Sequence, residues 1–344
     1  MSSTLPSSPP RSPPPVGITL VTGATGFVGS AVARALARRG HTLRLLVRGN
    51  SDLSLIEGLG ETVVGDLRDP ASLTAAVQGC RYVFHVAADY RLWVPDPGPM
   101  MQANVDGTTV LLRAARDAGV QRIVYCSSVA ALGLVGDGTP GTEDTPVEPG
   151  KVIGVYKQSK YQAEQAVREL VREGVPAVIV NPSAPVGPRD IKPTPTGKMV
   201  LDAAAGRMPA YVDTGLNIVH VDDVAEGHVL ALEHGRLGES YILGGEDLGM
   251  AHILAMIDDV MNRPQVRRTR IPNGALVPVA AVMEGVARLT KREPRVTREM
   301  LAMARKRMYF SSDKARRELG YEPRPAREAL VDAIDWFSEH GRLP

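Results

Sequence analysis

Apolar residues along this chain fall in short blocks separated by stretches of helical spacing. GITLVTG (17–23) is a β-branched and aliphatic run closed by glycine, and from Phe27 to Arg39 apolar and small residues recur at helical intervals. Strand, turn and helix therefore follow one another. Further apolar runs stand at TLRLLVR (42–48), ETVVGD (61–66), RYVFHVAA (81–88), RIVYCSS (122–128) and PAVIVNPS (176–183), separated by helix-like stretches. Alternation of this kind predicts an α/β fold, a doubly wound parallel sheet covered by helices on both faces.

After Pro182 the regularity fails. PSAPVGPRDIKPTPTG is rich in Pro, Gly and Thr, and the later elements are shorter and more mixed. This marks a smaller C-terminal domain, mainly over 186–344, beside a first domain over 17–185, with NIVHVDD (217–223) expected to return to the main sheet and 217–234 to the first domain. Residues 1–16, rich in Pro and Ser, read as a disordered tail without a secretion signal. GALVPVAAVMEGVARL (274–289) is too short and too interrupted to span a bilayer. Packing inside the C-terminal domain is the preferred reading, and a helix lying on a membrane surface is the alternative.

Composition narrows the class further. A formal charge of +2 over 344 residues shows no basic excess, which argues against nucleic acid as a partner. Cys80 and Cys126 adjoin apolar runs, which suits reduced packing residues in a cytoplasmic protein, and they are too few for a metal site.

TGATGFVG sets Gly23, Gly26 and Gly29 between the first strand and the first helix. The first glycine permits a tight turn, the second lets backbone approach a pyrophosphate, and the third lets helix pack on strand, while the helix N-terminus offers free N–H groups to the phosphates. NAD sites usually close the second strand with a carboxylate. This strand ends Val47-Arg48, and Arg48 suits a 2′-phosphate, so NADP is favoured over NAD. A solvated strand-end arginine is the competing reading. Asp66 is placed to accept from an adenine amino group or simply to cap a loop.

YKQSK (156–160) sets a phenol and an amine one helical turn apart. At about 100° per residue, Lys160, Ala163, Val167, Leu170 and Val171 share the face of Tyr156, and Lys160 is the one charge expected on that buried stripe. Burying an ammonium is costly without partners. Function supplies the return: a cation beside a phenol stabilises the phenolate and makes Tyr156 a usable proton carrier. At the end of the fifth strand, a hydroxyl of Ser127 or Ser128 would polarise the same substrate oxygen. Asp89, Tyr90 and Trp93 follow the fourth strand toward the same cleft. Trp93 can stack on a ring or pack on a lid, and Arg189 can bind an anion or be a solvated loop charge.

Together these residues resemble the extended branch of the short-chain dehydrogenase/reductase superfamily, the NAD-dependent epimerase/dehydratase type, over nearly the whole chain from Gly17. The resemblance implies a Rossmann-like fold with a C-terminal substrate-binding domain and assigns Ser128, Tyr156 and Lys160 as catalytic, with Asn104 in NVDGT as a supporting residue. It also implies cofactor contacts from Gly23, Thr25, Gly26, Phe27, Val28, Gly29, Arg48, Asp66, Leu67, Ala87, Ala88 and Pro182, besides Tyr156 and Lys160. HVAADYRLWVPDP, NPSAPVGPRDIKPTPTG and MPAYVDTGLNIVHVDDVAEGH are similar to hopanoid-associated sugar epimerases. Two departures lean toward dihydroflavonol-reductase-like members: Asn181-Pro182 stands where sugar epimerases carry Arg-Pro, and Val47 stands where they carry an acid. Three functions follow as expectations: an NAD(P)-dependent sugar epimerase acting through a transient ketone, an NADPH-dependent ketone or aldehyde reductase using the same residues, and a non-catalytic NADP sensor, which the intact Ser128, Tyr156 and Lys160 argue against. A small-molecule substrate is implied, and a homodimer is compatible with the pattern.

Overall fold

The predicted strands bury both faces in the middle of the sheet, so they can only be satisfied side by side between two layers of helices. The computed structural model describes residues 17–91, 94–136, 138–147, 154–264, 266–272, 283 and 306–343. Its first strands and helices are β1 (Ile18–Thr22), α1 (Phe27–Arg38), β2 (Thr42–Val47), β3 (Glu61–Val64), α2 (Pro70–Val77) and β4 (Cys80–His85). There follow α3 (Gly98–Met101), a π turn (Gln102–Asp106), α4 (Gly107–Asp117), β5 (Arg122–Cys126), a short 3₁₀ turn (Val129–Ala131), α5 (Val155–Arg172) and β6 (Ala177–Pro182). The later elements are β7 (Ala184–Val186), α6 (Pro195–Ala204), β8 (Ala210–Val212), β9 (Gly215–His220), α7 (Val221–His234), β10 (Ser240–Leu243) and β11 (Glu246–Gly249). The described chain closes with α8 (Met250–Val260), β12 (Thr269–Ile271), β13 (Arg307–Met308), α9 (Asp313–Leu319) and α10 (Ala326–Glu339).

The main sheet runs β3-β2-β1-β4-β5-β6-β10, and every pairing in it is parallel. Strand order reverses between β1 and β4, which opens a crevice at their C-terminal ends. One face carries α1 packed on α7, over a core that includes Leu36, Phe84, Val124 and Val224. The other carries α2, α4 and α5 over Leu20, Val83, Leu111, Ile123 and Val167.

The expected return of 217–223 to this sheet is corrected. β9 instead pairs with β11, β13 and β7 in a separate four-stranded sheet. A buried polar residue commits it there: Asn217 donates to Asp247 Oδ1 at 2.7 Å and to the Phe310 carbonyl at 3.0 Å, and accepts from the Gly245 amide at 2.8 Å. None of those partners lies on the main sheet. What returns is α7, laid against α1, together with β10 at the sheet edge. α6, α8 and α10 cover the small sheet over Val200, Ile253, Leu254, Leu330 and Phe337. The 274–289 segment, except Met283, lies outside the described residues, as does the 1–16 tail. Among the described residues no helix is long and apolar enough to cross a membrane.

Asp258 at the end of α8 is fully buried and paired with Arg263 at 2.9 Å and Arg268 at 2.6 Å, which ties the following segment to α8. The two guanidiniums, Arg268 foremost, hold its carboxyl down at about 2. Such a group stabilises the fold above its unfolded pKa near 3.8 and ceases to do so as pH falls through about 2. Asp258→Asn is expected to cost roughly 2–4 kcal/mol at neutral pH in denaturant unfolding, with the gap from the parent protein closing in that acid window.

Candidate functional site

The glycine loop closes the crevice from one side. Gly23 has φ +73°, and a Cβ there would stand 2.7 Å from the Ala87 backbone. At Gly29 a Cβ would stand 2.0 Å from the Gly23 carbonyl oxygen. Loop, helix and the chain after β4 thus meet backbone to backbone, a closeness that only glycine allows. The Gly26 amide donates to Gly23 O at 2.9 Å, and Gly26 stands as the N-cap of α1 with no side chain capping the first N–H groups. Thr25, Phe27 and Val28 are part-exposed around that open helix end. A bare helix N-terminus over a glycine cradle fits a dinucleotide pyrophosphate. Ala87 and Ala88 border the cradle after β4, Leu67 packs its backbone under Gly107, and Pro182 ends β6.

The opposite wall is built by α5. Lys160 is 3 % exposed. Its Nζ donates to the Cys126 carbonyl at 2.8 Å and lies 5.1 Å from the centre of the Tyr125 ring. Burial pulls the pKa of this amine down, and nearby Glu164 opposes the shift. Burial likewise pushes the Tyr156 phenol well above its usual value, with Tyr90 adding to the rise and the nearby Ser128 hydroxyl drawing it back. Ser128 also accepts from the Ala130 amide at 3.1 Å, so it caps the 3₁₀ turn while facing the phenol. Ser127 Oγ is buried with no hydrogen-bond partner shown. Of the two serines, Ser128 is the one that bears on the Tyr156 phenol, while Ser127 bears on Tyr125.

Asn104, in the π turn, joins the pieces. Its Oδ1 accepts from the Asp89 amide at 2.7 Å, and its Nδ2 donates to the Asp89 carbonyl at 3.1 Å and to Ser159 Oγ at 2.9 Å. Ser159 Oγ in turn donates to the Tyr156 carbonyl at 2.8 Å. The loop after β4 and the first turn of α5 are held by one amide. Tyr90, next to Asp89, stands edge-on to Tyr156 with ring centres 4.6 Å apart and is half exposed, so it forms the solvent-side cover of the phenol.

The remaining predicted positions spread more widely. Arg48 is exposed at the end of β2. Asp66 is engaged by Arg68, whose Nε and Nη2 reach its two carboxylate oxygens at 3.0 and 2.9 Å, and its carboxyl is held at about 2. Asp89 is bound by the Arg91 side chain. Arg189, at φ +75°, is half-buried and paired with Asp222, so the solvated-charge reading does not hold. Trp93 lies outside the described residues. Lys160 is not the only charge buried on α5: Glu164 is 1 % exposed, because α5 also packs against β6. Glu164 accepts from Arg168 at 2.8 Å and from Asn181 Nδ2 at 2.8 Å, and the same Asn181 amide reaches the Ser128 carbonyl at 3.1 Å. Its angle on the helix hid Glu164, and only the strand packed beside it explains its burial.

With this geometry in view, the comparisons with known proteins are specific. Residues 19–244 match the NAD dependent epimerase/dehydratase family. The chain belongs to that family, an extended short-chain dehydrogenase/reductase group of NAD(P)-dependent oxidoreductases. It is 44% identical to a protein of Synechocystis sp. named putative dihydroflavonol 4-reductase, over 93% of this chain and 94% of that one. It is 36% identical to sterol demethylase protein B of Methylococcus capsulatus, over 94% of this chain and 99% of that one. Among solved structures it is similar to that of gox2253, at 62% identity and a TM-score of 0.86, covering 95% of this chain and 99% of the other.

A buried ammonium with a backbone carbonyl for company is a burden on the fold. Lys160→Met, which keeps the volume and removes the charge, is expected to leave the melting temperature unchanged or raise it by up to about 5 °C. A fall of comparable size in differential scanning fluorimetry would show the amine to be a structural strut.

Proposed function

We propose that this protein is an NADPH-dependent reductase of ketones or aldehydes carried on bulky, largely apolar molecules. The observation that carries the reading is Tyr156 and the buried Lys160 one turn apart on α5, with the Ser128 turn and the Tyr90 ring set against the phenol. Two relatives support the carbonyl and the apolar body by name, the putative dihydroflavonol 4-reductase and sterol demethylase protein B. Asn181 supports it too, since its amide is occupied by Glu164 and the Ser128 carbonyl and brings no cation for a nucleotide-sugar.

The glycine cradle, the open end of α1 and Arg48 would hold the dinucleotide, with Asp66, Leu67, Ala87, Ala88 and Pro182 along its path. When bound, the reduced nicotinamide supplies hydride. Ser128 would donate a hydrogen bond to the substrate carbonyl oxygen and stabilise charge gathering there. Tyr156 would pass its phenolic proton to that oxygen, and Lys160 would stabilise the phenolate left behind. Tyr90 would cover the substrate, with Asp89 and Arg189 at the margins of its site. On this reading residues 17–185 with α7 and β10 hold the cofactor, and most of 186–344 faces the substrate. Two buried, free cysteines suit the reducing cytoplasm.

A second reading, a sugar epimerase linked to hopanoid synthesis, is favoured by the stretches at 85–97, 181–197 and 208–228. Mass spectrometry of cofactor released from purified protein separates the two. Protein that arrives empty and then binds NADPH supports net reduction, and tightly retained NAD supports epimerisation. Tyr156→Phe is expected to lower kcat by roughly 10²–10⁴-fold with the fold intact. Unchanged turnover would remove both enzyme readings, since each needs Tyr156 as the proton carrier.

Arg48→Ala is expected to weaken NADPH binding by about tenfold or more and NADH binding by less than about twofold, as loss of a charged hydrogen-bond partner predicts. Equal losses in fluorescence titrations would show that Arg48 reads no phosphate.

A further inference from the structure

His85 ends β4 fully buried, with its ring tilted against Tyr125 at 5.7 Å between centres. Its Nδ1 lies 2.8 Å from Thr22 Oγ1 and its Nε2 lies 2.8 Å from Thr108 Oγ1. Each hydroxyl has a further partner, and together these fix the position of every proton. Thr108 Oγ1 donates to the Asn104 carbonyl at 2.7 Å, which uses its only proton. It must therefore accept from an N–H on His85 Nε2. A neutral imidazole then has a bare Nδ1, so Thr22 Oγ1 donates to it while accepting the Ala87 amide at 3.1 Å. Burial, aided by the nearby Lys160 ammonium, pushes the His85 pKa down to about 3, which keeps the ring neutral throughout the physiological range.

The result is a directed chain from the Ala87 amide through Thr22, His85 and Thr108 to the carbonyl of Asn104. One end lies beside the glycine cradle, where Ala87 meets Gly23. The other end lies inside the π turn, a widened and costly helical geometry that places Asn104 toward the site. We infer that His85 is a positioning residue: as its Nε2–H tautomer it holds the π turn, and thereby the Asn104 amide that sets the loop of Asp89 and Tyr90 against the first turn of Tyr156. The consequence for turnover rests on the reading of Tyr156 as the proton donor. The clamp itself does not.

Two replacements of His85 divide its two bonds. In His85→Gln the amide N–H takes the place of Nε2 and keeps the arm to Thr108. In His85→Asn the amide oxygen takes the place of Nδ1, keeps the arm to Thr22, and leaves Thr108 without its donor. Thr108→Val removes the same arm from the far side. Hydrogen exchange of the Asp89 amide, read by mass spectrometry on the intact protein, reports the clamp without any substrate. His85→Asn and Thr108→Val are expected to speed that exchange by about tenfold or more and to lower kcat by a similar factor, with the KM for cofactor within about twofold. His85→Gln is expected to keep both within about threefold of the parent protein. An Asp89 amide as slow in His85→Asn as in the parent, or a His85→Gln protein as impaired as His85→Asn, would overturn the inference. The expected exchange pattern in a protein that reduces no carbonyl would count against the proposed reductase and leave the clamp standing.

Discussion

A positive charge kept out of water one helical turn from a phenol is the constraint around which this molecule is arranged. Lys160 sits on the buried face of α5 with a carbonyl of β5 as its hydrogen-bond acceptor and the Tyr125 ring beneath it. Nothing in folding alone rewards that placement. The surroundings make it bearable: Glu164 lies one turn further along the same helix, and Arg168 and Asn181 in turn hold Glu164. The charge is therefore part of a buried polar ladder that also reaches the carbonyl of Ser128. The same helix that burdens the core is thus tied to the turn of Ser128.

The second requirement is that separate parts of the chain arrive in register. The cradle comes from β1 and α1, the cover from the loop after β4, and the phenol from α5. Side chains with no direct part in the chemistry join them. Asn104 bridges the Asp89 loop to Ser159 and so to the Tyr156 carbonyl, while Thr22 binds the chain beside the cradle. Polar networks that are satisfied at nearly every atom rigidify a site, and a broken member would be felt by all the others.

Much of this was readable in the linear chain, for reasons that can be named. Buried parallel strands must be apolar throughout, so β1, β2, β4, β5 and β6 announce themselves, and a glycine triplet after the first strand has a steric cause now visible at Gly23 and Gly29. Tyr156 and Lys160 were legible because four residues make about one helical turn. β9 was assigned to the wrong sheet because its pattern of apolar residues suits either one, and only the distant partners of Asn217 decide between them. Glu164 and His85 escaped for a related reason. A polar residue inside an apolar run carries no sign of a distant partner, and Asn181 for Glu164 and Thr22 and Thr108 for His85 lie 17 to 63 positions away in sequence.

The central claim concerns one proton on one oxygen. Tyrosine labelled with carbon-13 at Cζ, assigned by comparison with Tyr156→Phe, gives its titration directly by NMR in the cofactor-free protein and again with oxidised dinucleotide bound. The account predicts that burial keeps Tyr156 protonated well above the ordinary phenol value of about 10 in the free protein, and that the positive ring of the bound cofactor brings its ionisation down. A phenol that ionises near 10 in both states would show Tyr156 to be a solvated side chain with no neighbouring charge to answer to, and would contradict the account.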